Sequence, residues 1–250
     1  MAKANTTWDV LPHLPIEKLE PNLWRVQGSL RGMALKRVMT LVRLDDGRIV
    51  VHSAIALEAD AMAEIESWGT PSVLLVPNGY HRLDAPAWVA RYPDLEVRCP
   101  GGARRKVEDV VRVDGDYQDL DLGESLKIET LDGIAAAEGV LIVRSPSGTT
   151  LVFNDALFNM PHGRGVAGLF FRHVTASTGG PRVSRLFRLF VVKDRAALAA
   201  HLDRLADTPD LVRIIVSHHR TITERPSETL RAVVSELGSR SPASRARRTP

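Results

Sequence analysis

The stretch VLLVPNGYHRLDA, residues 73–85, decides the fold because it joins an apolar strand to a polar loop. It continues an apolar run, 72–76, that has no polar alternation, as expected for a strand covered on both faces. The turn 77–79 ends this strand, and His81 follows in the loop. The pattern predicts a buried strand whose carboxyl end presents polar side chains.

Working outward toward the N-terminus, apolar runs predict strands at 23–27, 39–44 and 49–51. The turn 45–47 separates the last two and ends in glycine, which is typical of a hairpin. Apolar residues from Leu57 to Trp68 then have helical spacing, and Gly69 is expected to stop that helix.

Toward the C-terminus, strands and helices alternate in blocks. The pattern predicts a helix at 85–91, strands at 95–98, 140–143 and 150–153, helical stripes around Phe187 and Leu202, a strand at 211–216 and a helix at 226–237. The N-cap of the Leu202 helix is expected at Asp194. The unalternated runs 72–76 and 211–216 are predicted to be central strands.

The order of these elements predicts an α+β architecture of two mixed sheets covered by helices. We expect one domain over residues 1–238, in which 156–193 is a helical insertion that forms a lid or an interface. Residues 165–192 are a candidate homodimer surface.

Composition is that of a globular protein, with 44% hydrophobic and 25% charged residues. The single cysteine, Cys99, excludes an internal disulfide framework and multi-cysteine zinc sites. The N-terminal MAKANTTWDV lacks a signal-like apolar core, and no stretch has the length of a spanning helix. We therefore expect a cytoplasmic protein with no membrane partner.

The net charge of +3 is concentrated at the C-terminus. Four arginines lie in residues 239–250 with no acid among them, which leaves 3 − 4 = −1 for the rest of the chain. Because nucleic-acid binding usually needs a basic folded surface, no nucleic-acid partner is expected. The Ser, Pro and Arg content of 239–250 predicts a disordered basic tail.

Four segments together resemble the metallo-β-lactamase superfamily over roughly residues 20 to 235. They are LWRVQG with MTLVRLDDGRIVVHSAI, VLLVPNGYHRLDA, LVFNDALF and RIIVSHHRT. The resemblance implies an αββα four-layer sandwich with metal ligands at strand ends. Within it, the chain is similar to a degenerate branch in which a Pro-Asn segment replaces the histidine motif.

The departures from the family pattern concern the metal ligands. Asn78-Gly79-Tyr80 occupies the place of the family's H-x-H pair, and the loop 132–135 has no histidine. Of the usual ligand positions, Asp155 and His218 remain. His81 is the expected third donor, displaced from the family's spacing, and Glu138 is a weaker substitute.

Two functions follow from these residues. The eroded ligand set favours a non-catalytic binding or interaction module. The alternative is a hydrolase-like enzyme that acts on a small ester or lactone with one divalent ion (zinc, iron or manganese) or with metal-free acid/base groups. The catalytic and metal candidates are His81, Asp155 and His218, and the substrate-binding candidates are Asn78 and Tyr80. His52, at a strand end, is expected to be a packed or capping residue and not a ligand.

Overall fold

The structure is a computed structural model that describes residues 4–238. The predicted tail at 239–250 lies outside the described residues. The strands are β1 (Glu17–Glu20), β2 (Leu23–Leu30), β3 (Met33–Arg43), β4 (Arg48–His52), β5 (Thr70–Leu75), β6 (Glu96–Arg98), β7 (Leu126–Thr130), β8 (Gly139–Ser145), β9 (Gly148–Val152), β10 (Phe158–Met160), β11 (Gly180–Arg182) and β12 (Leu211–Ile215). The α-helices are α1 (Ala59–Trp68), α2 (Ala85–Arg91), α3 (Arg104–Glu108), α4 (Gly165–Leu169), α5 (Arg185–Phe190), α6 (Arg195–Ala206) and α7 (Pro226–Gly238).

Two mixed sheets form the centre of the molecule. The first contains β1 to β6 in sequential order, antiparallel up to β4 and parallel from β4 to β6. The second has the order β12-β9-β8-β7, in which β12 and β9 are parallel. The mixed α+β fold class is confirmed.

Three hydrophobic clusters show the four layers. The first cluster joins α1 and α2 to the outer face of the first sheet, where Met62 and Trp88 are fully buried. The second lies between the sheets and includes Leu75 and Val152. The third joins α6 and α7 to the second sheet through residues such as Leu202. The helix–sheet–sheet–helix order is therefore built from three apolar layers.

The prediction that the strands at 72–76 and 211–216 are central is wrong for the second strand, whereas the first is an interior strand that pairs with β4 and with β6. β5 is next to the edge of the first sheet, and β12 is an edge strand of the second. β12 is apolar along both faces because Ile214 packs toward the helices and Ile215 packs between the sheets. Its outer side is covered by an antiparallel bridge from Ile214 to Ile222. An unalternated run thus reports burial of both faces but not position within a sheet.

The segment 156–193 is only partly helical, which corrects the predicted helical insertion. It contains α4, a π-helical turn (Phe170–Val174) and α5, but also a two-stranded ribbon of β10 and β11. Each ribbon strand has three residues, too few to show a strand period in the sequence.

Gly69 ends α1, as predicted, but not through a left-handed conformation. Its backbone is extended, with φ of 177°. A Cβ atom at this position would lie 2.5 Å from the carbonyl oxygen of Gly47, in the β3–β4 turn. The glycine is therefore required by close approach of two backbones. No helix within residues 4–238 is both long and apolar enough to cross a membrane.

Candidate functional site

Three of the predicted site residues meet at one edge of the two sheets. Asp155 follows β9, His218 follows the neighbouring parallel strand β12, and His81 lies in the loop after β5. One ligand atom from each of these residues lies within 4.8 Å of the other two. The family resemblance implied Asp155 and His218 as the remaining ligand positions, and His81 was the expected third donor. Their role as ligands or catalysts stays a prediction.

Asp155 lies between the two histidines and contacts both. Its Oδ1 lies 3.0 Å from Nε2 of His218 and 3.2 Å from Nε2 of His81. Burial opposes ionisation of this carboxyl, but the charges and hydrogen bonds of the two imidazoles outweigh it and hold the pKa of Asp155 well below its usual range. The cluster therefore has a carboxylate at its centre.

The hydrogen bonds of His218 define its tautomer. Nδ1 lies 2.6 Å from the carbonyl oxygen of Lys36, which can only accept, so Nδ1 carries a proton. In the neutral ring, Nε2 then has a lone pair that faces Oδ1 of Asp155. Two acceptors 3.0 Å apart repel each other unless a second proton or a cation lies between them. Phe158 stacks on the His218 ring at 5.0 Å and restricts its orientation.

His81 is held from both ends. Its Nδ1 lies 2.9 Å from Oγ of Ser53, and its backbone N–H donates to Oδ1 of Asn78 at 3.1 Å. Ser53 follows β4 in a left-handed conformation, with φ of 60°, which is uncommon for a residue with a side chain. Since the serine hydroxyl can donate or accept, His81 can present either a proton or a lone pair to Asp155.

Asn78 holds the second oxygen of Asp155. Its Oδ1 accepts the backbone N–H groups of Tyr80 and His81, so its amide nitrogen must point the other way. That nitrogen donates to Oδ2 of Asp155 at 2.8 Å and to Oε2 of Glu138 at 3.2 Å. The amide predicted to bind substrate thus has protein partners for both of its ends.

Glu138 is the residue whose role sequence reasoning missed. Its side chain is fully buried and accepts the backbone N–H groups of Asn154, Asp155 and Ala156 at 2.9 to 3.0 Å. Burial, followed by the negative charge of Asp155, raises the pKa of Glu138 to about 8. It anchors the Asp155 loop and lies behind that loop, not among the three donor atoms. The only sequence signal was an acid directly before an apolar strand.

Two of the three donor–donor distances suit ligands of one first-row metal ion, and the third is within 4.8 Å. Two ligands that each lie about 2.1 Å from an ion, at an angle of about 90° to 109°, are roughly 3.0 to 3.4 Å apart. The nitrogen–oxygen distances of 3.0 and 3.2 Å fall in this range. Two imidazoles and a carboxylate are a known donor set for zinc and for non-haem iron. The proton on Nδ1 of His218, donated to a backbone carbonyl, is the outer contact that metal-bound histidines usually make.

The cluster lines a cavity of about 910 Å³. Most of the cavity wall is apolar and comes from the N-terminal segment, the β2–β3 hairpin and the segment 156–193: Leu11, Leu30, Met33, Leu35, Phe158, Phe171, Leu186, Phe187, Phe190 and Val191. Tyr80 lines this cavity and is 56% exposed, whereas Asn78 lines only a smaller neighbouring cavity of about 280 Å³. Their predicted contact with a substrate stays a prediction.

Three other polar residues near the strand ends lie outside the cluster. His52 is buried opposite Thr40 in the ladder, with no hydrogen bond to either ring nitrogen within the described chain. Burial, followed by the charge of His81, lowers the pKa of His52 to about 3. Asp84 is buried in an ion pair with Arg37 and is not available as a ligand. His219 does not line the cavity, as expected for the neighbour of His218.

Comparison of the sequence with protein-family models and with curated proteins gives no match. Solved structures do match. TMB-1 is similar with a TM-score of 0.62 and 10% identity, over 92% of this chain and 100% of that chain. A metallo-β-lactamase from Pontibacter korlensis has a TM-score of 0.59 and 11% identity, over 89% of this chain and 99% of that chain. The DIM-1 metallo-β-lactamase exposed to ceftazidime has a TM-score of 0.57 and 12% identity, over 92% of this chain and 100% of that chain. At these identities the likeness concerns architecture alone: this chain has the metallo-β-lactamase fold.

Proposed function

We propose that this protein is a hydrolase that uses one divalent cation, held by Asp155, His218 and His81, to cleave a small apolar ester or lactone. The observation that carries the proposal is the distance of 3.0 Å between Nε2 of His218 and a carboxylate oxygen of Asp155, at which a neutral His218 ring would present a lone pair to that oxygen. A cation between these atoms removes the repulsion and completes a three-donor set. Zinc, iron and manganese are the candidate ions.

The residues around the donors hold them in place. The Lys36 carbonyl fixes the tautomer of His218, and Ser53 holds the far nitrogen of His81. Glu138 and Asn78 fix the backbone and the outer oxygen of Asp155. A bound divalent cation would act as a Lewis acid on a substrate carbonyl and would bring the pKa of water at the site to about 7.

The number of donors supports one ion and not two. The atom that faces Oδ2 of Asp155 is the amide nitrogen of Asn78, which donates a hydrogen bond and cannot bind a cation. The loop 132–135, where the family resemblance implies a further histidine, contains none. The second carboxylate in the region, Glu138, is already surrounded by backbone N–H groups.

The cavity wall supports an apolar substrate. Aromatic and aliphatic side chains from three segments surround the cluster, and they suit an acyl or alkyl group better than a polar one. A strained ester bond in a lactone or a simple ester requires only carbonyl activation and a positioned water.

A binding module without catalysis is the second candidate, and one observation favours it. If each imidazole carries two protons, the three side chains form a complete ion-pair cluster around Asp155 without any metal. The same apolar cavity would then bind a small ligand. The two functions differ in whether a cation is required.

Metal content separates the two candidates. Untagged protein purified without chelator is expected to contain about one zinc, iron or manganese ion per chain, by elemental analysis. Chelated protein should rebind one equivalent in calorimetric titration, and Asp155→Ala or His218→Ala should weaken this binding by about a hundredfold. His219→Ala is the matched control, because that imidazole adjoins His218 but lies outside the cavity.

Hydrolysis of a series of p-nitrophenyl esters and lactones with increasing acyl length tests the activity. We expect turnover that needs the cation and improves with acyl length until the cavity is filled. Metal-free protein that binds the same compounds without turnover, before and after addition of each cation, would assign the site to the binding module. Two tight sites per chain would contradict the single-ion geometry.

A further inference from the structure

The segment 156–193 carries an exposed apolar surface beside the cavity. We call it the apolar face, and it consists of Val166, Leu169, Phe170, Val174, Leu186, Leu189 and Phe190. Val166 is 85% exposed, Leu189 is 62% exposed and Phe190 is 72% exposed. Contiguous apolar surface of this kind on a folded chain usually marks a binding surface.

The apolar face comes from two neighbouring helical pieces. In the first piece, which is α4 and the π-helical turn, the exposed residues have the spacing i, i+3, i+4 and i+8. In α5 they have the spacing i, i+3 and i+4. The backbone N–H of Arg185 donates to the carbonyl of Thr175 at 2.7 Å, and its guanidinium donates to the carbonyl of His173 at 2.9 Å, so the end of the first piece meets the start of α5.

The segment that carries the apolar face is rich in positive charge. Residues 156–193 contain six cations and no Asp or Glu, so they carry +6, and the rest of the chain carries 3 − 6 = −3. The cations are Arg164, Arg172, Arg182, Arg185, Arg188 and Lys193. Burial lowers the pKa of Arg188, and so do the charges of Arg195, Arg185 and Arg182, while the charge of Glu236 opposes them. The arginines are therefore close enough to repel one another.

We infer that the apolar face binds the surface of an anionic phospholipid membrane, with its arginines on the lipid headgroups and its apolar side chains among the outer acyl groups. Apolar side chains beside clustered arginines are the combination that interfacial binding uses. Binding at the membrane surface needs no membrane-spanning helix. The expectation of no membrane partner rested on the absence of such a helix from the sequence, and it therefore does not argue against surface binding. The inference does not depend on the proposed hydrolase activity.

Two other occupants fit less well. A symmetric dimer through 165–192 would place the same positive surface of each copy against the other, with no acid in the segment to offset the repulsion. A nucleic acid would match the charge but not the exposed valine and leucine side chains, which have no partner on a phosphate backbone. An anionic lipid surface matches both features.

The apolar face is continuous with the cavity mouth. Leu186 and Phe190 are exposed and also line the cavity that contains Asp155. Met33, at the tip of the β2–β3 hairpin, is 53% exposed and lines the same cavity. A membrane bound to this face would therefore adjoin the opening through which an apolar ligand enters.

Co-sedimentation with lipid vesicles tests the inference on the full chain. We expect binding to phosphatidylcholine vesicles that contain phosphatidylglycerol, weak binding to phosphatidylcholine alone, and a decrease at high salt. Val166→Ser with Leu189→Ser removes apolar contacts outside the cavity, and Arg164→Glu with Arg172→Glu reverses two exposed charges. Each pair should weaken vesicle binding by about tenfold or more.

The control pair is Arg43→Glu with Arg144→Glu, which reverses two exposed charges at the ends of β3 and β8 opposite to Met33 and Glu138. It should leave most of the vesicle binding intact. The four arginines of 239–250 are present in every variant, so the comparison isolates the apolar face from the tail. Thermal unfolding of each variant excludes loss of folding as the cause.

Several results would overturn the inference. Equal affinity for neutral and anionic vesicles would do so, as would equal loss in the control pair. A vesicle-free dimer that Val166→Ser with Leu189→Ser abolishes would assign the face to a second copy of the chain. Binding to duplex DNA that matches the vesicle binding and ignores the apolar substitutions would assign it to nucleic acid.

Discussion

Oε2 of Glu138 accepts the backbone N–H of Asp155 at 3.0 Å, so a buried acidic side chain positions the carboxylate of the donor cluster. The neighbouring N–H groups of Asn154 and Ala156 donate to the other oxygen of Glu138. The loop that presents Asp155 to the two imidazoles is therefore held by a residue that lies outside the donor cluster. This relationship makes Glu138 a positioning residue.

Replacing Glu138 by alanine is expected to weaken both the fold and cation binding. The substitution leaves three buried backbone N–H groups without an acceptor, which costs about 3 kcal/mol of unfolding free energy or more. Looser placement of Asp155 should lower cation affinity by about 10- to 100-fold. Urea unfolding and calorimetric titration measure the two effects. The exposed Glu124→Ala is the control, and a loss below about 1 kcal/mol for Glu138→Ala would show that the anchor is dispensable.

The lowered pKa of His52 predicts that the free energy of unfolding decreases as the pH falls. Its pKa falls from 6.5 when exposed to about 3 in the folded chain, so the unfolded chain binds a proton first as the pH falls. The contribution of neutral His52 to stability is therefore complete above pH 6.5 and is lost toward pH 3. Between about pH 7 and about pH 5 this loss amounts to about 2 kcal/mol.

His52→Leu removes this titration and the two ring nitrogens that have no partner within the described chain. We expect its urea midpoint to vary less between these two pH values than that of the unmodified protein. His173→Leu is the control because that imidazole is exposed. An unchanged pH dependence in His52→Leu would show that His52 is not the titrating group.

Local pattern predicted the elements well and their arrangement less well. The helix expected at 85–91 has the same bounds as α2, because Pro86 lies in the first turn and the polar turn before it is unambiguous. The edge position of β12 could not be predicted, since burial of both its faces comes from helices and from a bridge to Ile222. Which strands become neighbours is decided by packing between segments distant in sequence.

In the candidate site, too, some features could be predicted from local sequence and others depended on contacts between distant segments. His81, Asp155 and His218 each follow a strand, so the sequence could place them at one edge. The contacts of Glu138 and Asn78 could not be predicted, because they join residues 17 and 77 positions apart. A buried acid is recognised only when the N–H groups that surround it are known.

A divalent cation should stabilise the folded chain. If the three donors bind one ion, cation at about a hundred times its dissociation constant raises the unfolding free energy by about 2.7 kcal/mol. Asp155→Ala should show no such gain, whereas His219→Ala should keep it. Thermal unfolding of chelated protein at increasing zinc or manganese concentration measures this effect. A flat response in the unmodified protein would rule out a folded-state site of useful affinity.

Asn78→Asp tests the carboxylate pair most directly, because it changes a hydrogen-bond donor into a charge without changing the shape of the side chain. The amide nitrogen that donates to Asp155 at 2.8 Å and to Glu138 at 3.2 Å becomes a carboxylate oxygen. The new carboxylate then lies beside the charge of Asp155 and replaces two donated hydrogen bonds, and we expect a loss of about 3 kcal/mol of unfolding free energy near neutral pH. Because protonation of the new carboxylate supplies an O–H donor in place of the lost N–H, the loss of unfolding free energy should shrink as the pH falls.

Asn22→Asp is the matched control. It also loses an amide donor, to the carbonyl of Arg144, but has no carboxylate partner among its hydrogen bonds. Urea unfolding of both variants from neutral to acid pH measures the difference, and equal losses with equal pH dependence would show that Asn78 does not separate the charges of Asp155 and Glu138.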